Sequence, residues 1–272
     1  VISVYNQLAY TRSEVVSVEV QKNVPPAGML KAADGSLTPY QVVNGKLYFV
    51  AMDLKPSSVT KYVVTEEEVS VNPVSYDKTG TPKSGGYLTA EAGRYVMQLS
   101  LLTGTIMELY DKAEKKQVFE KMVSYAEDAG AFCAHKSSNI LKMTYEQPRI
   151  MNAWILGNEY RYENIIGIPE VIVVAEGPVF TTFKVVHTYN ETTVAQYITL
   201  YTQFDRVDFK VDVDWHEFGN CEIGIPTLKV GITSDIEKPD FIYETPFGNL
   251  IRNRHNEEFP SLRYTAVSGE DK

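Results

Sequence analysis

The run DFKVDVDWHEFGN, Asp208 to Asn220, places Asp208, Asp212, Asp214, His216 and Glu217 within ten positions. These residue types hold divalent metals or flank a glycosidic bond as acid and nucleophile. Their spacing argues for another role. Phe209, Val211, Val213 and Trp215 alternate with Asp208, Lys210, Asp212, Asp214 and His216, the pattern of a strand with one apolar and one polar face. Residues two apart on a strand stand roughly 7 Å apart, too far for one compact metal to be gripped easily by both. Asp212 and Asp214 fall near the roughly 6.5–9.5 Å separation of an inverting carboxylate pair. On a flat strand face, however, both would point the same way rather than flank a sugar. The run reads as a core strand, its four apolar side chains inward and its acids in water, with His216 at the end able to line a ligand surface.

The remaining chemistry-bearing residues are sparse. His187 lies in the alternating VVHTY and reads as a surface or packed strand histidine. His135 and His255 complete the set, and no His-x-x-x-His or Cys-x-x-Cys pair draws a local zinc site. No nucleophile elbow, phosphate loop or dinucleotide fingerprint is present. Aromatics gather in KMTYEQPRIMNAWILGNEYRYEN, where Tyr145, Trp154, Tyr160 and Tyr162 stand among Asn, Glu and Arg. Such a stretch suits carbohydrate, whose ring faces stack while its hydroxyls bond; ordinary packing of a long loop is the other reading. FGNLIRNRHNEEF, residues 247 to 259, brings Arg252, Arg254 and His255 together to receive an anion or a sugar, or simply to form a solvated turn.

The elements that must position these groups are strands. Val, Thr, eighteen Tyr and eleven Phe favour them. Turn signals at Pro25-Pro26, Asp34-Gly35, Asn44-Gly45 and Lys55-Pro56 cut the first section into short runs, and Asn44-Gly45 predicts a two-residue hairpin. VNPVSYDKTGTPKSGGY, rich in Pro and Gly, reads as a linker. Glu176-Gly177-Pro178 predicts a turn between two long paired strands. One stretch departs from this pattern: DKAEKKQVFEKMVSYAEDA, residues 111–129, spaces Val118, Met122 and Tyr125 as a helix would. The expected fold is all-β and antiparallel, with a compact unit over 1–70, a linker over 71–86 and a larger β-rich section over 87–272.

The 272 residues carry 44% apolar side chains, enough for a sizeable core, and a net charge of −9 from 26 Lys and Arg against 35 Asp and Glu. That balance argues against nucleic acid or a membrane surface as partner, and the apolar run VIVVA is far too short to span a bilayer. VISVYNQLAY reads as a strand rather than a signal segment. Cys133 and Cys221, with no disulfide framework, read as two reduced thiols of a cytoplasmic protein. The sequon Asn190-Glu191-Thr192 carries little weight.

Several segments together resemble the C-terminal region of glycoside hydrolase family 38, the zinc-dependent retaining α-mannosidases. VYNQLAYTRSEVVSV is similar to the family's Asn-Pro-Leu-Ala-Trp opening, with Gln7 and Tyr10 in place of Pro and Trp. TGTIMELYDK, NILKMTYEQPRIMNAWILGNEY, YITLYTQFDRVDFKVDVDWHE and YETPFGNLIRNRH follow in the family's order, with Ile155 where Asp is usual. The resemblance implies a small β-sandwich followed by a supersandwich like that of galactose mutarotase. It also implies a strand, a charged turn at Asp111–Lys116 and a second strand where spacing suggests a helix. The zinc ligands and nucleophile would lie in an absent N-terminal catalytic domain, making this chain a non-catalytic piece of a larger hydrolase with no cofactor of its own. Its partners would be that domain, an α-mannoside or other carbohydrate, and a second copy in a homo-oligomer. Arg252 or Arg254 would reach the substrate rim, with Trp154 beside it and Phe132 where some relatives place Tyr. The rival readings are a free-standing carbohydrate-binding module and a mutarotase-like enzyme using His216 or His187 with Glu217 as acid and base.

Overall fold

A computed structural model describes residues 1–20, 24–120, 137–152, 154–252 and 258–271. The first six strands are β1 (Ile2–Asn6), β2 (Arg12–Glu19), β3 (Ala27–Ala32), β4 (Leu37–Val43), β5 (Lys46–Leu54) and β6 (Ser58–Thr65). They form one antiparallel sheet ordered β1-β6-β3-β4-β5-β2. All six contribute to one cluster around Leu30, Tyr40, Phe49 and Tyr62, so the sheet wraps its own core. Asn44 and Gly45 adopt positive φ of 50° and 75° and close the predicted β4–β5 hairpin, with Val43 opposite Lys46. Asn6 is buried, and its amide donates to the carbonyls of Tyr10, Leu54 and Lys55 at 2.9–3.0 Å. One side chain thus ties three backbone segments together at the β1–β2 corner.

Next come β7 (Ser75–Thr79), β8 (Tyr87–Glu91), β9 (Tyr95–Ser100), β10 (Ile106–Asp111) and the short β11 (Lys116–Gln117), a second antiparallel sheet ordered β11-β10-β9-β8-β7. β7 lies inside the stretch that its Pro and Gly content marks as a linker. Val74 beside it is buried, and Tyr76 stacks edge-on against Phe183 at 5.6 Å. The helix expected from residue 111 is not formed over 111–120. Asp111 ends β10, its carboxylate accepts the Ala113 and Glu114 amides, and Tyr110 pairs with Gln117. Cross-strand pairing and a capped turn outweigh the local helix propensity; residues 121–129 lie outside the described residues.

The remaining strands are β12 (Ile140–Glu146), β13 (Glu159–Ile165), β14 (Glu170–Ala175), β15 (Phe180–Tyr189), β16 (Thr192–Tyr201), β17 (Val207–Asp214), β18 (Ile225–Gly231), β19 (Ile236–Thr245), β20 (Gly248–Arg252) and β21 (Thr265–Asp271). β14-β15-β16-β17 make one layer of a sandwich. The β7–β11 sheet and the β13-β12-β18 sheet make the other, joined by the Ile106–Ser138 bridge. β20-β19-β21 form a small further sheet. The all-β, antiparallel expectation is met, and the turn at Glu176-Gly177-Pro178 joins β14 to β15 as expected.

β17 corrects one expectation. It is the edge strand of its sheet, so only half of its apolar face is covered. Val211 packs into the core, whereas Phe209, Val213 and Trp215 each keep more than a third of their surface.

The N-terminal sheet is locked onto the outer face of the β14–β17 layer. Val50, Val179, Phe180 and Tyr201 share one cluster, with Tyr48 edge-on to Phe180 at 5.4 Å. Arg206 adds an ion pair to Glu14 at 2.8 Å. At the centre, the buried Gln41 Oε1 accepts both the Val179 and Phe180 amides at 2.9 Å. Gly177 passes so close that a Cβ there would lie 2.6 Å from Gln41 Oε1. Gln41→Leu strands two buried N–H groups, and a loss of roughly 2 kcal/mol or more is expected. Urea unfolding measures it, Gly177→Ala should weaken the same lock, and unchanged midpoints for both would contradict this account.

Candidate functional site

The acids of DFKVDVDWHE are engaged with protein partners. Asp208 accepts the Tyr201 hydroxyl at 2.6 Å and pairs with Arg206 at 2.7 Å. Asp212 pairs with Lys210 at 2.8 Å and Asp214 faces His216 at 3.2 Å. Glu217 accepts from Asn190 Nδ2 and Thr192 Oγ1 and so caps the β15–β16 hairpin end. Among the described residues no group of three or more His, Cys, Asp or Glu could hold a metal ion. The geometry of this run is structural.

His187 is a packed core histidine at 4% exposure. It stands against Gly104, where an added Cβ would fall 2.6 Å from its Nε2. Gly104 also needs its positive φ of 67°, so two constraints select glycine in the TGT motif. Burial pushes the His187 pKa down to about 4, only partly offset by its hydrogen bond to the Gly167 backbone. A neutral, enclosed imidazole has no access to a sugar in solvent, which removes it as the acid or base of a mutarotase-like reaction.

Among the four aromatics of the loop segment, Tyr145 and Tyr160 follow the packing reading. Tyr145 is buried, beneath the Arg161 guanidinium at 4.1 Å, and its hydroxyl meets that of Tyr189 at 2.8 Å. Tyr160 donates to the Ile223 carbonyl at 2.6 Å. Tyr162 stays exposed, with Lys142 Nζ 5.9 Å from its ring. Trp154 is 82% exposed, at the tip of the connection between β12 and β13.

That connection is held by a residue that sequence reasoning missed. Glu146 is 4% exposed, and its Oε2 accepts the Gly157 amide at 2.6 Å and Asn152 Nδ2 at 3.1 Å. Arg149 turns back onto the Ile155 and Leu156 carbonyls. The only hint in the sequence is an acid directly before Gln-Pro at the end of an apolar strand.

Arg252 closes β20, its guanidinium 4.9 Å from the Phe259 ring and 5.7 Å from Tyr243, which themselves meet edge-on at 5.9 Å. Stacking orients the guanidinium, and its buried Nε has no hydrogen-bond partner among the described residues. Lys229 bridges Glu159, after the Trp154 loop, to Glu258, beside Phe259. No hydrogen bond, ion pair or ring contact joins Trp154 to Arg252 among the described residues. Arg254, His255 and Phe132 lie outside the described residues.

A cleft of about 460 Å³ is lined by Gly93, Arg94, Lys112, Thr202 and Asp205. Its cations are already satisfied: Arg94 by Asp111 at 2.7 Å and Asp205 at 2.9 Å, Lys112 by Glu91 at 2.8 Å. An anion there would have to displace a carboxylate.

Residues 90–271 match the family model described as the glycosyl hydrolases family 38 C-terminal domain. Two solved structures share the fold. An alpha-mannosidase from Enterococcus faecalis V583 is 12% identical, with a TM-score of 0.57 over 94% of this chain. A family 38 glycosyl hydrolase protein from Enterococcus faecalis is 11% identical, with a TM-score of 0.57 over 92%. This chain spans 34% of the length of each. No curated protein matches the sequence.

The buried His187 makes stability depend on pH. Its folded pKa lies below the unfolded value near 6.5, so its contribution is fully present above pH 6.5 and is lost as pH falls towards 4. Over that window the protein should lose roughly 2–4 kcal/mol more than a His187→Gln variant. Unfolding curves at pH 6.5 and pH 4 read the difference, and parallel losses in the two proteins would refute it.

Proposed function

The chain belongs to glycosyl hydrolase family 38, and from that membership we propose that it is the non-catalytic β portion of an α-mannosidase-like hydrolase. The family match over residues 90–271 is the observation that carries the reading. The full protein would hydrolyse α-mannosides, while this portion would brace the catalytic domain and complete the rim of the sugar pocket.

The local chemistry is consistent with that division of labour. Glycosidic cleavage in a retaining enzyme needs two carboxyl groups flanking the anomeric carbon. Here the acids of β17 face Lys210 on the strand and Arg206 and His216 just beyond its ends. Among the described residues no donor set fits the family's zinc, and on this reading the metal would be held by the catalytic domain. Arg252, oriented by stacking on Phe259 and Tyr243, is the residue proposed for the pocket rim, together with Arg254 and Phe132.

The chain alone should leave an aryl α-mannoside unhydrolysed, whereas the full-length polypeptide should turn it over. Arg252→Ala in the full-length protein should raise KM or lower kcat/KM about tenfold or more, without loss of fold by circular dichroism. Turnover by this chain alone would overturn the assignment.

A further inference from the structure

The end of the β13-β12-β18 sheet presents an apolar apex built from two connections. Residues 147–152 and 154–158 carry Ile150, Trp154, Ile155 and Leu156 outward, and the segment before β18 carries Phe218 and Ile223. Ile150, Trp154 and Phe218 are 99%, 82% and 83% exposed. The two connections are packed together: a Cβ on Gly224 would lie 2.7 Å from the Glu146 carbonyl and 2.8 Å from the Tyr160 ring. Asn220 Oδ1 accepts the Glu222 and Ile223 amides at 2.8 Å, which fixes the second turn. The backbone is therefore pinned by Glu146, Asn152, Arg149, Tyr160 and Asn220, while the large apolar side chains are left in water. Soluble proteins rarely leave so many large apolar side chains of neighbouring connections in water.

We propose that this apex is the surface on which the rest of the hydrolase polypeptide docks, an inference that rests on the reading that this chain is one portion of a longer enzyme. Its composition is that of a permanent protein contact, rich in Ile, Leu, Trp and Phe, with ion pairs of Lys229 to Glu159 and Glu258 at the border. A sugar site would set hydrogen-bonding groups beside the aromatic ring. Here Asn152 is committed to Glu146 and the Gln147 carbonyl, and Arg149 to Ile155 and Leu156. The occupant follows from length: the solved relatives align with nearly all of this chain, yet this chain accounts for only 34% of theirs. The larger remaining part is the partner whose size and permanence fit an apolar apex held ready in a fixed conformation.

The test places a thiol at the apex, Ile150→Cys, in a Cys133→Ser, Cys221→Ser background. Maleimide labelling of the peptide that carries position 150 is followed by mass spectrometry, in this chain alone and in the full-length polypeptide, each normalised to its rate in urea. Labelling should be at least tenfold slower in the full-length protein. Hydrogen exchange of the unsubstituted proteins should agree, with slower amides over 150–156 in the longer one. Equal rates in the two would overturn the proposal. So would protection in this chain alone that grows with its concentration, which marks a second copy as the occupant, or that appears on adding methyl α-mannoside, which marks a sugar. Aryl α-mannoside turnover by the same full-length sample separates the premises. Turnover with an unprotected thiol at position 150 refutes the docking surface alone; protection without turnover supports docking and refutes the mannosidase reading.

Discussion

Strands β15 and β16 lose water from both faces at the end where Phe180 meets Tyr201. On one face Phe183, Val185, Ile198 and Leu200 pack against β8, β9 and β10; on the other Phe180 and Tyr201 pack against Val50 and Tyr48 of the N-terminal sheet. Each large side chain so buried contributes on the order of 1.5–3 kcal/mol. This pair of strands is thus the shared wall of two cores. The N-terminal sheet, which lies outside the residues matched to the family model, is joined to the sandwich through that wall rather than tethered by a flexible chain. Gln41 supplies the directional part of the contact, since apolar packing alone would let the two sheets slide.

Two-sided burial also decides what was legible in the sequence. FTTFKVVHTY begins with four consecutive buried residues and only then alternates, because the N-terminal sheet covers the outer face at one end. Hairpins set by local backbone chemistry, such as Asn44-Gly45, could be read directly. The helix suggested by residues 111–129 failed where described because its spacing signal was weak and Asp111 prefers to cap a turn and hold Arg94. The sidedness of β17 was right in period but not in depth: alternation shows which residues share a face, whereas coverage depends on whether a neighbouring strand lies beyond.

The site was legible in its residue types more than in its geometry. Arg252 and Trp154 stood out as an arginine in a basic turn and a tryptophan in a polar loop. What fixes them did not. Glu146 holds the loop through a carboxylate that no periodicity distinguishes from a surface acid, and Arg252 owes its orientation to Tyr243 across the hairpin and to Phe259 seven positions on. Contacts across sheets and between loops are set by topology, which one strand's pattern does not encode.

Two of the exposed apolar regions differ in how they are protected. β17 is an edge strand with Phe209, Val213 and Trp215 partly bare, yet its other face bears Asp208, Lys210, Asp212 and Asp214, charges that make pairing with another strand costly. The apex at Trp154 has no such protection. Arg149 is folded back onto carbonyls, Asn152 is bound within the loop, and the backbone is braced by the buried Glu146. Committing a buried polar side chain to hold apolar ones in water is unfavourable for an isolated domain. It becomes favourable when another protein surface covers that display.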